Sequence, residues 1–473
     1  MSTRLEQRAV VLGGGMAGLL AARVLADAYG EVTVLDRDEL APRHTQRRGV
    51  PQGRHIHALA ARGQEVLEEL FPGLTAELMA HGAPVGDMLN DARLYFSGHR
   101  LRQAASGMVL LSASRPFLEG HVRARVRAMA GVTVAAPCDI VGLAATPDRR
   151  RVTGVQLLRR ADGSALEVLD ADLVVDTMGR GSRTPMWLET LGYKPPEETQ
   201  VRVDLGYATR RYRLAPDALS GDLGILQGPT PAHPRGGVLA RLEGDQWMLT
   251  LIGLVGDPPP TDPDGFLAFA RSLQFPGIYE AIRDAEPLDD PVAFRFPISF
   301  RRRYERLARF PEGFLVLGDS VCSSNPIYGQ GMTVAALEAL TLRNHLRRHR
   351  APQPRRFLRE IARVIDTPWD IATGADLAFP SIQGHRTYKH QMVSAYIAQL
   401  HAAATRDARL ARAFVRVSGL VDHPEALLRP DVALRVLRHR LRQPAASAPS
   451  HSAAKPDMQP HGEQQEVLQE DLR

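Results

Sequence analysis

The run Gly13-Gly14-Gly15-Met16-Ala17-Gly18 constrains this chain more than any other feature. It satisfies GxGxxG and stands between an apolar strand candidate, Arg8–Leu12, and a segment that reads as a helix, Gly14–Ala28. A second strand candidate, Glu31–Leu35, ends at Asp36. The glycines have separate tasks. Gly13 permits a tight turn, Gly15 has no Cβ to keep a pyrophosphate off the backbone, and Gly18 lets helix and strand pack closely. Met16 and Ala17 then fall at a helix N-terminus, whose free N–H groups and partial positive charge suit phosphate. Asp36 is placed to accept hydrogen bonds from a ribose diol. The fold class predicted is α/β, with a Rossmann-like dinucleotide-binding domain.

The chain has 473 residues, beyond the roughly 250–300 at which one core stops growing. Residues 1–185 read as the first part of the nucleotide-binding domain. Residues 186–300 read as an inserted β-sheet domain for substrate, which strands near 85–103 are candidates to join. Residues 301–350 return to the nucleotide-binding domain, and 351–442 form a C-terminal helical region. Residues 443–473, rich in Pro, Ala, Ser, Gln and Glu, read as a disordered tail.

Charge and cysteines narrow the function. The formal net charge is +6, but the arginines are spread along the chain among acids, which argues against a nucleic-acid interface. The helix Val432–Leu441, with Arg435, Arg438, Arg440 and Arg442, is basic and partly amphipathic. A salt-bridged surface helix is preferred there to one resting on an anionic membrane. Arg301-Arg302-Arg303 reads as a solvated turn. Cys138 and Cys322 give no disulfide framework, and no apolar stretch approaches the roughly 18 residues that span a bilayer. A cytoplasmic location is expected.

A second cradle lies some 300 residues downstream. Phe314–Ser320 is a buried strand running into Gly318-Asp319, followed by Asn325-Pro326-Ile327-Tyr328-Gly329-Gln330-Gly331-Met332 and a long helix. Asp319 can hold a polyol chain. The N–H groups at Gly331 and Met332 can face a delocalised anion, worth of order 0.3–1 kcal/mol at a helix start. His55 and His57 alternate as strand neighbours do, but no third ligand follows at metal spacing; no metal site is assigned, and hydrogen bonding near the cofactor is preferred.

With both cradles in view, the sequence resembles the FAD-dependent monooxygenases of the glutathione-reductase-type fold. In detail it is similar to the flavin epoxidases of polyether-antibiotic biosynthesis, a squalene-epoxidase-like branch. The finer match rests on Arg48–Gln52 with His55 and His57, Ser114-Arg115, Val174–Ser182, Gly206–Arg210 and the Gly318–Met332 segment. The resemblance spans about residues 7 to 400. It implies non-covalent FAD, with Gly13, Gly15 and Gly18 at the pyrophosphate, Asp36 at the ribose and Arg37 near the adenine. Arg48, Gln52 and Arg115 would approach the phosphates or ribityl chain, and Asp319 the ribityl hydroxyls. Pro326 and Gly329 would lie in the loop that shields the flavin ring, with Gly331 and Met332 at its pyrimidine edge.

The activity so implied is insertion of one atom of O₂ through a flavin C4a-hydroperoxide. The favoured reaction is epoxidation of an alkene in a polyketide, polyene or isoprenoid-like secondary metabolite. Aromatic hydroxylation, an oxygen-independent reductase or dehydrogenase, and a non-catalytic flavin carrier are the alternatives. The reductant would be NAD(P)H or a reduced-flavin source, with a separate flavin reductase as a conceivable partner. Tyr95, Phe96, Tyr207, Trp247, Phe294 and Phe296 are candidates to line a hydrophobic substrate pocket. Two departures stand out. Met178 occupies the place where aromatic hydroxylases carry the Asp of an Asp-Gly pair, and the Trp-x-Trp-x-Ile-Pro segment of flavin halogenases is missing, which makes halogenation an unfavoured reading.

Overall fold

Strand Leu5–Leu12 pairs in parallel with Tyr29–Leu35 on one side and Leu173–Asp176 on the other. Phe314–Val316 and Val132–Ala135 complete a five-stranded parallel sheet. Val10, Val11, Val34, Val174, Val175 and Leu315 are all buried, the near-continuous apolar run of a parallel sheet covered on both faces. The protein is described from a computed structural model, at residues 5–40, 46–159, 165–349 and 351–442. The tail 443–473 expected to be disordered lies outside the described residues.

Helix Met16–Leu25 packs against Gly331–Arg348. Ala21, Ala22, Ala336 and Ala339 are buried on these helices; small side chains let the two axes approach. The two helices that begin at the two glycine-rich turns are therefore neighbours, although some 300 residues separate them. A three-stranded antiparallel sheet, Cys138–Ala145, Val152–Arg159 and Leu166–Asp170, packs on Leu173–Asp176 through its middle strand.

The large sheet has nine strands. Its centre is one 16-residue strand, Glu198–Arg213, which pairs antiparallel with both Val292–Arg302 and Trp247–Gly253. Beyond these lie Arg235–Arg241 and Gly224–Gln227, and then Ala92–Phe96, which arrives from the N-terminal third and pairs in parallel with Gly224–Gln227. Alternation along the strands divides the two faces. Ala208, Tyr212, Trp247, Leu249 and Leu251 pack with Phe266 and Phe269 under helices Pro263–Arg271 and Gly277–Ile282. Val203, Leu205, Tyr207, Ile252 and Phe296 face the other way, toward Leu377, Phe379 and Ile382.

Arg301 corrects the solvated-turn expectation. It ends strand Val292–Arg302, is 1% exposed, and bonds Asp366 at 2.7 Å and the Ala362 carbonyl at 3.1 Å. It thereby ties the large sheet to the 23-residue helix Pro354–Asp376. Helices Tyr388–Ala404, Ala408–Ser418 and Pro430–Arg442 follow and share a smaller core around Leu400, Leu410 and Val436.

Candidate functional site

A cavity of about 680 Å³ opens between the parallel sheet, the large sheet and helix Pro354–Asp376. That is the size range of small-molecule and cofactor pockets. It begins at the first glycine-rich turn. Gly13 has φ +102°, and a Cβ there would sit 2.9 Å from the Thr177 carbonyl oxygen. Gly18 is a packing residue and not a lining one: its Cβ would sit 1.8 Å from the Gly13 carbonyl oxygen. Gly15 has no atom within 4 Å of its Cβ position and lines the cavity. It also precedes helix Met16–Leu25 with no side-chain cap, so the first N–H groups of that helix have no side-chain partner.

Asp36, 6% exposed, accepts hydrogen bonds from Gly14 N at 2.6 Å and Asp38 N at 2.8 Å. It also pairs with Arg47 Nη2 at 2.5 Å. Arg47 continues to Glu119 at 2.6 Å and to the Gly14 carbonyl at 3.0 Å. Burial works against the Glu119 carboxylate, but Arg115 and Arg47 beside it hold its pKa below the usual range. Sequence reasoning missed this network. It assigned Arg48 to the cofactor, whereas Arg48 is exposed in a turn and does not line the cavity; Arg47, one residue earlier, turns inward. Nothing local distinguishes two adjacent arginines, and the buried partner Glu119 identifies the right one. Met16, Ala17, Arg37, Gln52 and Arg115 line the cavity.

Leu173–Asp176 leads into the middle segment. Asp176, fully buried, accepts from Thr184 Oγ1, from Ser182 Oγ and from Met178 N, and so shapes the Gly179–Gly181 turn. The acid that orders this turn is therefore Asp176, two residues before Met178. Arg180 leaves the turn to stack over Phe296 at 4.4 Å and to bond Ser323 Oγ at 2.9 Å. Asp319 faces the same space; burial pushes its pKa up, against Ser323 and Arg180, which lower it.

The second glycine-rich loop closes the other end. Asn325 Oδ1 accepts from Ile327 N at 3.1 Å, while its Nδ2 donates to Asp376 Oδ1 at 2.7 Å. Tyr328 donates to the same oxygen at 2.8 Å. Asp376 is buried at the end of Pro354–Asp376, and desolvation pushes its pKa up to about 6. This pin too was not foreseen. Gly329 needs its freedom, with φ +65° and a Cβ position 2.6 Å from Ala58 Cβ. Gly331 does not have positive φ; it starts helix Gly331–Arg348 without a side-chain cap, and its Cβ position has no atom within 4 Å. Pro326, Gly329, Gly331 and Met332 all line the cavity.

Between the two ends, Tyr207, Phe294 and Phe296 supply an aromatic wall. His55 lies against it, 5.3 Å from Phe294 and 6.0 Å from Tyr207 between ring centroids. Ile365, Pro368 and Trp369 add an apolar contribution from helix Pro354–Asp376. Three aromatic candidates do not belong. Tyr95 and Trp247 lie on the helix-covered face of the large sheet, the Tyr95 ring tilted against Phe275 at 4.4 Å between centroids. Phe96 packs on Phe414. His55 and His57 do not sit on a strand: His55 follows the turn Pro51–Arg54 and bonds Thr209 Oγ1 at 2.7 Å, and His57 Nδ1 bonds the His55 carbonyl. Burial lowers their pKa values to about 4 and about 3. Among the described residues His345, His349 and Glu360 have ligand spacing for a metal. Both His345 nitrogens are taken, by Glu360 at 2.8 Å and Gln353 N at 3.0 Å.

Two uncapped helix starts, two glycines open to one cavity, buried Asp36 and partly buried Asp319 fit an extended dinucleotide with a ring at the Gly331 end. No protein-family model matches the chain. Protein Rv3254 of Mycobacterium tuberculosis is 33% identical over 456 residues, covering 92% of this chain and 94% of that protein. Kynurenine 3-monooxygenase of Salinispora tropica is 27% identical, covering 92% and 93%. Among solved structures, a flavoprotein/dehydrogenase from Cytophaga hutchinsonii has a TM-score of 0.64 at 13% identity, covering 92% of this chain and 99% of that one. p-Nitrophenol 4-monooxygenase from Pseudomonas putida has a TM-score of 0.61 at 14% identity, covering 88% and 99%.

Proposed function

The chain belongs to the family of protein Rv3254; from that premise, and from its similarity to flavin-dependent monooxygenases, we propose that it is a flavin-dependent monooxygenase that epoxidises an electron-rich alkene of a polyketide, polyene or isoprenoid-like metabolite. Bound FAD, once reduced, supplies the activation of O₂ to an electrophilic oxygen donor. This chain's own residues do the rest. Gly13, Gly15 and the Met16 helix start hold the pyrophosphate, Asp36 the ribose and Asp319 the ribityl hydroxyls. The uncapped N–H groups at Gly331 and Met332 would face a bound flavin ring and would stabilise negative charge on it. Tyr207, Phe294, Phe296, Pro326 and Trp369 exclude water and hold an apolar substrate near the ring.

The observation that carries the choice of an alkene is the apolar lining of the cavity, Tyr207, Phe294 and Phe296 with Ile365, Pro368 and Trp369, beside the sequence resemblance to flavin epoxidases. Hydroxylation of a phenol gains from a base poised near the working pH. His55 and His57, the cavity-lining histidines there, have pKa values near 4 and 3. An alkene needs no proton removed before it accepts oxygen. A second reading, aromatic hydroxylation, is favoured by the kynurenine and p-nitrophenol monooxygenases to which the chain is similar. NAD(P)H, used directly or through a separate flavin reductase, is the proposed reductant.

The test is oxygen uptake with mass spectrometry of products, on matched panels of polyenes and phenols, with either nicotinamide or chemically reduced flavin. A product 16 mass units heavier from a polyene, without a phenolic product, supports epoxidation. Phenol turnover alone moves the assignment to hydroxylation, flavin reduction without any oxygenated product returns the reductase reading, and a bound flavin inert to reductant and oxygen returns the carrier reading.

A further inference from the structure

Helix Pro430–Arg442 has two apolar faces. The inner one is spent on the fold: Val432 and Val436 are 8% and 3% exposed, and Arg435 pairs with Asp407 at 2.9 Å. The outer one carries Leu434, Leu437 and Leu441, exposed at 50%, 48% and 76%, and Leu428 just before the helix is 65% exposed. Residues 434, 437 and 441 fall on one stripe at helical spacing. Arg438 and Arg440 border that stripe on its two sides, both exposed and without an ion-pair partner among the described residues.

The surroundings share this character. Of the twelve exposed large hydrophobic residues described, seven lie between Tyr388 and Leu441. Residues 386–442 also hold eleven Lys and Arg against four Asp and Glu, a net +7. Scattered exposed leucines are ordinary on a protein surface. A leucine stripe bordered by arginines that have no ion-pair partner among the described residues, in a basic stretch of the chain, is the pattern of an interfacial helix. No described helix is long and apolar enough to cross a membrane, so contact would be peripheral.

We propose that the outer face of helix Pro430–Arg442, with Leu428, docks on an anionic lipid surface, leucines in the acyl boundary and Arg438 and Arg440 at the headgroups. Charge complementarity selects an anionic lipid over a neutral one. This reverses the preference the sequence alone gave, because an amphipathic helix does not reveal from its sequence which of its apolar residues the core has already taken.

The experiment is co-sedimentation of the full chain with vesicles of equimolar phosphatidylcholine and phosphatidylglycerol, against phosphatidylcholine alone, in low salt and in about 0.5 M salt, where charge interactions are largely screened. Binding to the anionic vesicles only, lost in high salt, is expected. The triple variant Leu434→Ser/Leu437→Ser/Leu441→Ser and the double variant Arg438→Glu/Arg440→Glu should each lower binding about tenfold or more, with thermal midpoint and flavin content unchanged. Equal binding to both vesicle types, or parent-like binding by the triple variant, overturns the proposal. So does binding that appears only in the full chain carrying Glu463→Gln/Glu466→Gln/Glu470→Gln/Asp471→Asn, since the face would then belong to the chain's own acidic end.

Discussion

At the Gly13–Gly18 end of the cavity, backbone meets backbone. Gly18 touches the Gly13 carbonyl, Gly13 touches Thr177, and Asp36, Arg47 and Glu119 form one buried ion network. At the Pro326–Met332 end, side chains from three distant segments meet around open space: the aromatic wall of the large sheet, the Asn325–Gly329 loop pinned to Asp376, and Trp369. The first end is rigid because removing any piece leaves a clash or an unpaired charge. The second is shaped by apolar surfaces, which tolerate change and tune what fits. The two ends should therefore fail differently.

Gly18→Val breaks the first end outright. Its Cβ would overlap a carbonyl oxygen at 1.8 Å, backbone on backbone with no flexible atom to move. We expect no folded protein, read as loss of a cooperative thermal transition. Gly331→Val adds the same side chain where nothing lies within 4 Å. It should keep the parent's melting midpoint as apoprotein and lose bound flavin, measured by absorbance after gel filtration. Equal melting losses in both variants would refute the contrast.

Arg47→Ala removes the cation that buried Glu119 and Asp36 share; Glu119 keeps Arg115 at 2.9 Å and Arg123 at 3.3 Å, while Asp36 is left with its backbone donors. Breaking a buried pair costs at most about 3–5 kcal/mol, and the arginines that remain beside Glu119 make the loss smaller than that. Burial alone would push the Glu119 pKa up, and Arg115 and Arg47 hold it low. A depressed carboxylate contributes stability above its unfolded pKa that is lost as pH falls through the folded value. The variant's deficit should accordingly be larger at pH 7 than at pH 3.5 in urea titrations. Arg48→Ala, at an exposed position, should shift neither stability nor flavin content, and a loss there equal to that of Arg47→Ala would restore the sequence-based assignment.

What the sequence made legible follows the same division. The glycine spacing, the acid at the end of the second strand and the Gly-Asp before the second loop are local, so the parallel sheet and its two helix starts could be predicted with their residues. The choice between Arg47 and Arg48 depends on Glu119, 72 residues away. Tyr95 and Trp247 look as suitable for a pocket as Tyr207 and Phe296, because composition does not say which face of a strand the helices Pro263–Arg271 and Gly277–Ile282 will cover. Trp369 reaches the cavity on helix Pro354–Asp376, which packs on Gly331–Arg348 and is tied to the large sheet through Arg301 and Asp366, contacts that no local sequence pattern announces.

Pro326→Ala tests the tolerant end. The residue lines the cavity in the short turn Pro326–Tyr328, whose backbone is held by Asn325 and Asp376 rather than by proline alone. Flavin content and melting should stay as in the parent. Water exclusion should weaken, so more hydrogen peroxide appears per reductant consumed, by a few-fold, with less oxygenated product. A peroxide-to-product ratio equal to the parent's would show that the loop does not guard the reaction.

Glu338 joins the two ends, and the smallest effect is expected there. It lies on helix Gly331–Arg348, fully buried, and one carboxyl oxygen accepts from Gly318 N at 2.5 Å, next to Asp319. Desolvation and the neighbouring Asp319 push its pKa up to about 8, against the Gly318 hydrogen bond, which lowers it. A carboxyl raised in the folded state contributes stability that is complete below its ordinary value near 4.5 and is lost as pH rises through about 8. Glu338→Gln keeps an acceptor for Gly318 N and removes the titration. Parent and variant should match at pH 5. By pH 8.5 the parent should have lost stability relative to the variant. Urea midpoints at both pH values measure this, and parallel pH profiles for the two proteins would mean that Glu338 does not titrate in this range.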